Sequence, residues 1–356
     1  MAKSLRLANQ QETVTCFSHF DLYKEIDIDI DMLSKTITGS SETIRKTTFN
    51  FSNYRSRLVS HKKPANIKTA FLEWFLGFSE GDGTFIVSEA RLFFIISQKE
   101  EKILHRIRTE LGFGKVSYYK TASRFIVADR DNIERLIHIF NGNLVLNKTG
   151  RRFCKWVEAW NLWCSKSPCQ QGRRVDLLSK NQLPSLGDNG WLSGFTDAKG
   201  CFAATQIRDP RHRLGWRVRL RFILDQKSER ELLEKVKLFL DSGVVVHLVH
   251  LVHLTESNAK KRNAKRNAKQ SEMYRRKEVD DMWRFSCTSI AGHRAAIAYF
   301  TSHPLRTIKR VSFLRFASLL GYIINRPSLP WKGKVLMRVE NLINNINKTE
   351  KRVLTA

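Results

Sequence analysis

The stretch TAFLEWFLGFSEGDG at residues 69–83 returns in altered form as WLSGFTDAKG at residues 191–200. In the alignment of the two stretches, Gly77 pairs with Gly194 and each copy ends in glycine. The aromatic side chains of the first copy recur at helical spacing, which predicts a helix with one apolar face. A motif that occurs twice predicts a chain built from two related halves.

Small residues recur within both motifs at a spacing of four. They are Gly77 and Gly81 in the first copy, and Gly194 and Ala198 in the second. Small residues at this spacing lie on one side of a helix and let a second helix approach backbone to backbone. We therefore expect the two motif helices to pack together at the centre of the molecule, with both C-terminal ends on the same side.

One aligned position reverses its charge, because Asp82 of the first copy corresponds to Lys199 of the second. A carboxylate in the last turn of a helix faces the negative end of the dipole, where it is disfavoured. A divalent cation bound at Asp82 would explain such a placement. A lysine suits the same position well but cannot bind Mg²⁺. If Asp82 needs a second acid, Asp197 is the nearest alternative in sequence.

The similarity between the halves continues beyond the motifs. Paired segments predict a strand followed by a helix, then a second such unit, then a closing helix. The pairs are 92–111 with 220–240, 123–140 with 283–300, and 147–160 with 308–320. The fold class is therefore α+β, with two pseudo-symmetric halves packed through their motif helices.

This arrangement predicts the organisation of the whole chain. A leader-like, poorly ordered tail precedes the first repeat, a linker rich in Pro, Gly and Ser joins the repeats, and a short tail ends the chain. The expected bounds are 1–67 for the first tail, 68–165 for the first repeat, 166–187 for the linker, 188–345 for the second repeat, with a basic insertion near 255–278, and 346–356 for the last tail.

The charge balance identifies the kind of partner. The chain has 62 Lys and Arg against 34 Asp and Glu, a formal charge of +28. Such an excess repels itself unless a polyanion neutralises it, and nucleic acid is the commonest such partner. No apolar run is long enough to span a bilayer, so we expect no membrane partner. In the segment RVRLRFIL, alternation puts Arg217, Arg219 and Arg221 on one face of a strand, which suits phosphates and base edges.

The first hairpin of the second half is longer than that of the first half. The interval Gly83–Gln98 covers 15 positions, whereas Gly200–Gln226 covers 26. The added residues include RDPRHRLGWRVRLR, a segment dense in arginine.

The sequences FLGFSEGDG and LSGFTDAKG resemble the two signature motifs of single-chain LAGLIDADG homing endonucleases. The resemblance covers about residues 68–345 and implies α-β-β-α-β-β-α halves whose sheets lie in the DNA major groove. It implies that Asp82 binds the divalent metal, taken as Mg²⁺, and that Lys199 fails to match the same position in the second half. It further implies supporting active-site roles for other polar residues, and contacts with nucleic acid for two lysines. The former are Gln98, Gln226, Lys148 and Lys309, and the latter are Lys99 and Lys227.

Three functions remain open at this point. The first is an organellar intron-encoded DNA endonuclease, mitochondrial or else chloroplast, that acts as a monomer on double-stranded DNA. It either cuts both strands or is reduced to nicking by Lys199. The second is a binder of structured RNA, such as a group I intron maturase or a domesticated ribonucleoprotein component. The third is a basic structural domain, which the duplicated motif disfavours.

Overall fold

The computed structural model describes residues 49–57, 67–89, 91–166, 168–178, 185–248, 281–325 and 331–348. Most of the predicted N-terminal tail and all of the basic insertion near 255–278 lie outside these residues. Within the described ranges, no helix is both long enough and apolar enough to cross a membrane.

The first half alternates helices with pairs of strands, as the repeat predicts. A short helix precedes it, and a long helix closes it. The elements are α1 (Ser52–Arg57), α2 (Thr69–Asp82), β1 (Gly83–Ser88), β2 (Arg91–Gln98), α3 (Glu101–Leu111), β3 (Lys115–Tyr118), β4 (Ser123–Val127), α4 (Arg130–Phe140) and α5 (Asn147–Ser165).

The second half repeats this order and adds a final helix. Its elements are α6 (Trp191–Lys199), β5 (Gly200–Arg208), β6 (Trp216–Lys227), α7 (Arg230–Phe239), β7 (Val244–His247), β8 (Met282–Cys287), α8 (Ile290–Ser302), α9 (Lys309–Asn325) and α10 (Gly333–Asn345). Between the halves lie two 3₁₀ turns, Pro168–Arg173 and Leu186–Asp188.

Each half contains one four-stranded antiparallel sheet. The strand orders are β1-β2-β4-β3 and β5-β6-β8-β7, which are equivalent. The first hairpins begin in the same register, since Gly83 pairs with Ile96 and Gly200 pairs with Leu224. The α-β-β-α-β-β-α fold predicted from the sequence is confirmed.

The core lies on the inner face of each sheet, beneath the helices. Phe85 and Phe94 are buried in the first sheet, and Phe202 and Phe222 are buried in the second. Their neighbours along each strand point outward, because successive side chains of a strand alternate between faces. Each sheet therefore leaves its other face available for a partner.

The motif helices α2 and α6 pack side by side in the centre with almost no space between their backbones. A Cβ atom added to Gly77 would lie 2.0 Å from the carbonyl oxygen of Trp191. A Cβ atom added to Gly194 would lie 1.9 Å from the carbonyl oxygen of Trp74. The close approach predicted from the small residues is thus present and reciprocal. Each glycine meets the opposing backbone at the tryptophan that lies three positions before the other glycine.

Two segments depart from the expected tail and linker. Residues 49–57 contain α1 and bury Phe51 and Tyr54 in the core, so this part of the predicted tail packs against the first half. Arg173, within the predicted linker, forms ion pairs with Asp131 and Glu134 of α4 at 2.8 and 2.6 Å. Charge pairing and aromatic burial therefore hold both segments to the first half.

Candidate active site at the ends of the motif helices

The parallel packing of α2 and α6 brings Asp82 and Lys199 together at one end of the helix pair. Nζ of Lys199 lies 3.0 Å from Oδ1 of Asp82. The amide nitrogen of Gln98 donates a hydrogen bond to Oδ2 of the same carboxylate. Both carboxylate oxygens therefore face a donor from the chain itself. The Asp82 side chain is 16% exposed and the Lys199 side chain 35%, so the carboxylate is mostly shielded from water while the ammonium stays partly exposed.

The Lys199 ammonium and the Gln98 amide already occupy the carboxylate oxygens that a divalent cation would need. Asp82 and nearby oxygen atoms would suit Mg²⁺, a hard cation that prefers oxygen ligands. Lys199 instead places a positive charge where a second carboxylate would be needed. Among the described residues, no group of three or more His, Cys, Asp or Glu is positioned to hold a metal ion. The residues fit one cation at Asp82 only if the Lys199 ammonium moves away, and they do not fit a second.

Lys309 lies at the start of α9, beside the same helix ends. Its Nζ donates to the carbonyl oxygens of Thr196 and Ala198, each at 3.2 Å. Burial lowers the pKa of Lys309, while the carboxylates of Asp197 and Asp82 act in the opposite direction. Lys309 thus neutralises the last carbonyls of α6 and places a cation near Asp82.

The sequence pairing of Lys148 with Lys309 has a structural counterpart. Lys148 is the second residue of α5, and Lys309 is the first residue of α9. Each lysine lies two residues after a backbone amide that donates to an acid of a motif helix: Leu146 to Glu80, and Thr307 to Asp197. The two lysines are therefore equivalent in the fold, and both are half-buried.

Gln98 and Gln226 also occupy equivalent places. Each lies two residues beyond the strand partner of a motif glycine, Ile96 in the first sheet and Leu224 in the second. Gln98 contacts Asp82, and Gln226 is half-buried opposite Trp283.

The predicted nucleic-acid contacts lie along and beyond these strands. Arg217 and Arg219 are exposed on the outer face of β6, and Arg221 on the same face is half-buried. At the strand ends, Lys99 is exposed and Lys227 is half-buried. The alternation of arginine with apolar residues in β6 therefore produces the cationic face that the sequence predicts.

Two buried acids, Glu80 and Asp197, join the motif helices to the closing helices, a role that the sequence analysis predicted for neither. Glu80 accepts hydrogen bonds from the backbone nitrogens of Val145 and Leu146 at 2.8 and 2.6 Å, just before α5. Its other oxygen accepts from Nε1 of Trp191, on the opposite motif helix, at 2.7 Å. A carboxylate here satisfies free amides and complements the positive end of the helix dipole.

Asp197 makes the same connections in the second half. It accepts from Nε1 of Trp74 at 2.8 Å and from the backbone nitrogen of Arg306 at 2.7 Å, just before α9. The Thr307 hydroxyl also donates to it. Burial raises the pKa of Asp197, and these donors oppose the rise. Asp197 is 3% exposed and already partnered, so it does not lie free to bind a metal as the sequence alternative supposed.

A second reciprocal pair crosses between the halves. Glu229, at the start of α7, accepts from the backbone nitrogen of Lys148 at 3.2 Å. Glu100, at the start of α3, accepts from the backbone nitrogen of Ile308 at 2.9 Å. Each half therefore caps the closing helix of the other. For Glu80 and Asp197 the sequence signal was their alignment, because both copies of the motif have an acid there whereas the Asp82 position changes to Lys199.

The Glu80→Gln variant tests the structural role of the buried acids. A glutamine oxygen can still accept from both amides before α5, but the NH₂ group then opposes the Trp191 indole N–H. We expect the free energy of unfolding to fall by about 2 kcal/mol, the cost of a buried donor left without a partner. Urea denaturation measures this change, with exposed Glu158→Gln on α5 as the matched control. Equal stabilities for the two variants would contradict the assignment.

Comparisons with known proteins agree with this geometry. The family model for LAGLIDADG endonuclease matches residues 75–160 and 192–320, one match in each half. A solved structure of the meganuclease I-AabMI bound to uncleaved DNA aligns with a TM-score of 0.57 at 19% identity, over 78% of this chain and 99% of that one. At this identity the likeness concerns the fold.

Several curated proteins are similar in sequence. Probable intron-encoded endonuclease 4 of Neurospora crassa is 30% identical over 79% of this chain and 45% of its own length. An uncharacterized cox1 intron-2 protein of Schizosaccharomyces pombe is 27% identical over 78% and 73%, respectively. The intron-encoded RNA maturase bI4 of Saccharomyces cerevisiae is 27% identical over 46% and 26%. The chain thus spans about half the length of the Neurospora relative.

The paired motifs, the equivalent sheets and the reciprocal acids all describe one unit built twice around its motif helices. The family match follows the same division and covers more than half of the residues. The chain belongs to the LAGLIDADG endonuclease family.

Proposed function

We propose that this chain is an intron-encoded, site-specific nucleic-acid-binding protein whose DNA endonuclease activity is limited to one strand. The observation that carries the proposal is the ion pair between Lys199 and Asp82. It removes one of the two acids expected at the helix ends and leaves the outer faces of both sheets unchanged. Binding and cleavage therefore have separate determinants in this protein.

Double-stranded DNA is the proposed substrate. The outer face of the second sheet carries the exposed arginines of β6, and the outer face of the first carries exposed Arg91 and Arg124. Cationic side chains on strands suit both the phosphates and the guanine edges in a major groove. The similar solved structures include meganucleases bound to DNA, which supports the choice of DNA over other polyanions.

Asp82 is the proposed ligand of a divalent ion, taken as Mg²⁺, since endonucleases of this family generally depend on such ions. The bound ion would polarise a phosphate oxygen and an attacking water. Gln98 holds the Asp82 carboxylate in place, and Gln226 occupies the equivalent position in the other half. Lys309 and Lys148 place cations beside the scissile phosphates, where they would stabilise developing negative charge.

The second candidate function is RNA binding in intron splicing. The same ion pair favours it, because a binder that need not cut can lose an acid without losing its surface. Similarity to an intron-encoded RNA maturase points the same way. A mitochondrial location suits both candidates, because two of the relatives are named for cox1 introns.

A paired assay distinguishes the two functions. The protein is incubated with Mg²⁺ and a supercoiled plasmid carrying the intron-free host-gene site, and separately with the unspliced intron RNA. We expect nicked circles, and we expect Asp82→Asn to abolish them. RNA splicing that persists in Asp82→Asn, without nicking by the parent protein, would favour the maturase. Failure to act on either substrate would overturn both proposals.

A further inference from the structure

The first hairpins of the two halves differ in length although they begin in the same register. In the first half the pairing runs from Gly83 with Ile96 to Ser88 with Arg91. In the second half it runs from Gly200 with Leu224 to Arg208 with Trp216, three pairs further. The last pair with a counterpart is Thr205 with Arg219. We call residues 206–218 the hairpin extension.

Internal contacts order the turn of the extension. The backbone nitrogen of Asp209 donates to the carbonyl of Gly215 at 3.0 Å, and that of Gly215 donates to the carbonyl of His212 at 2.7 Å. The Asp209 carboxylate accepts from the backbone nitrogen of Arg211 at 3.2 Å and lies 3.3 Å from Nε of Arg217. The turn therefore has a defined shape.

Trp331, two residues before the final helix α10, supports the base of the extension. The ring of Trp216 packs against that of Trp331, with the ring centroids 6.1 Å apart. Leu214 of the turn also packs against the core, and Trp331 is 7% exposed. The helix α10 follows the closing helix of the second half. The extension is thus held at its base by an aromatic pair.

The extension is strongly cationic, with exposed arginines at 208, 211, 213 and 217. Arg217 lies on the outer face of β6, and Arg211 and Arg213 lie in the turn, whereas Arg208 pairs with Trp216 and shares its face. In the first hairpin the last pair is Ser88 with Arg91, so only two residues of sequence separate its strands. Three more pairs at about 3.3 Å each lengthen the second hairpin by about 10 Å. Along B-DNA, with about 3.4 Å per base pair, that is about three base pairs.

We propose that the extension binds double-stranded DNA outside the part of the site reached by the first hairpin, so that the two half-sites differ in length by about three base pairs. The longer half-site lies on the side of the Lys199 half. The inference rests on the proposed function, because it assumes that the outer sheet faces bind DNA. Arg217 is the leading specificity residue, since it is held by Asp209 on the outer face of β6.

Selection from a pool of random-sequence duplexes tests this asymmetry. The full-length protein is expected to enrich a site whose preferred positions reach about three base pairs further on one side of its centre. A variant in which residues 206–218 are replaced by the dipeptide Glu-Ala, which joins Ser88 to Arg91 in the first hairpin, should enrich a site with equal arms. Trp331→Ala should weaken the same outer positions, with circular dichroism confirming that the fold persists.

Two single substitutions provide a matched comparison. Arg217→Ala should reduce discrimination at the outermost positions of the longer arm by about tenfold, the effect of one lost base contact. Arg91→Ala, at the last position that the hairpins share, should act only within the shorter arm. Enrichment of a site with equal arms by the full-length protein would overturn the inference and leave the proposed function intact. Two results would overturn the DNA proposal itself. One is that the protein enriches no site from duplex DNA. The other is that replacing residues 206–218 changes binding to structured RNA and not to duplex DNA.

Discussion

The Lys199→Glu variant is expected to convert a supercoiled plasmid that carries the target into linear DNA, whereas the parent protein produces nicked circles at most. The substitution replaces the ammonium beside Asp82 with a second carboxylate at the shared end of the motif helices. Two acids can then hold Mg²⁺ where one acid and one cation cannot. The expected gain in double-strand cleavage is on the order of 100-fold, because a unit charge about 4 Å away contributes a few kcal/mol at a partly exposed site.

Affinity for the target should change little in the same variant. The cationic surface contains many side chains, and one charge at the helix end is a small part of it. Lys199→Met separates the two causes of the gain, since it removes the cation without adding a ligand. It should bind Mg²⁺ more tightly than the parent protein but should not linearise the plasmid efficiently. Asp82→Asn should abolish even nicking.

Linear product from the parent protein at the rate of Lys199→Glu would contradict this explanation. A second ligand would then have to come from elsewhere in the protein. Asp197 is not available for that role, because its carboxylate is buried and accepts from Trp74 and from the start of the closing helix.

The Gly77→Ala variant is expected to lose about 3 kcal/mol of stability, toward the upper end of the range for overpacked sites. A single methyl group would lie 2.0 Å from the carbonyl oxygen of Trp191 and 2.8 Å from the backbone nitrogen of Phe195. Both atoms belong to a backbone that cannot move aside as a side chain can. The helices must separate, which also lengthens the hydrogen bonds between the tryptophans and the buried acids.

Gly150→Ala is the matched control for this experiment. Gly150 also lies in a helix, but among the described residues nothing beyond its own stretch of helix backbone is within 4 Å of an added Cβ. Here the alanine should stabilise the protein by about 0.5–1 kcal/mol, because glycine loses more conformational freedom on folding. Chemical denaturation of both variants measures the two effects. Equal changes of the same sign would show that helix propensity, rather than contact at the motif pair, governs the result.

The sequence alone determined the fold and the centre of the molecule. Two motifs in register with repeated strand and helix patterns predicted two similar halves, and small residues four apart predicted which helix faces would meet. These features are local or periodic, so they are visible without coordinates. The contrast between Asp82 and Lys199 also led to the proposal that chemistry occurs at this end of the helix pair.

The tertiary structure alone decided how those residues are connected. Glu80 and Asp197 are far in sequence from the amides that they cap and from the indoles that they bind across the helix pair. These hydrogen bonds form only where the two motif helices meet the starts of the two closing helices. The spacing of residues along the sequence does not predict that meeting. The same is true of Trp331, which contacts Trp216 although the two residues are far apart in sequence. Long-range hydrogen bonds and aromatic contacts carry no periodic signal along the chain, and the contact between Lys199 and Asp82 likewise required the two motif helices to pack in parallel.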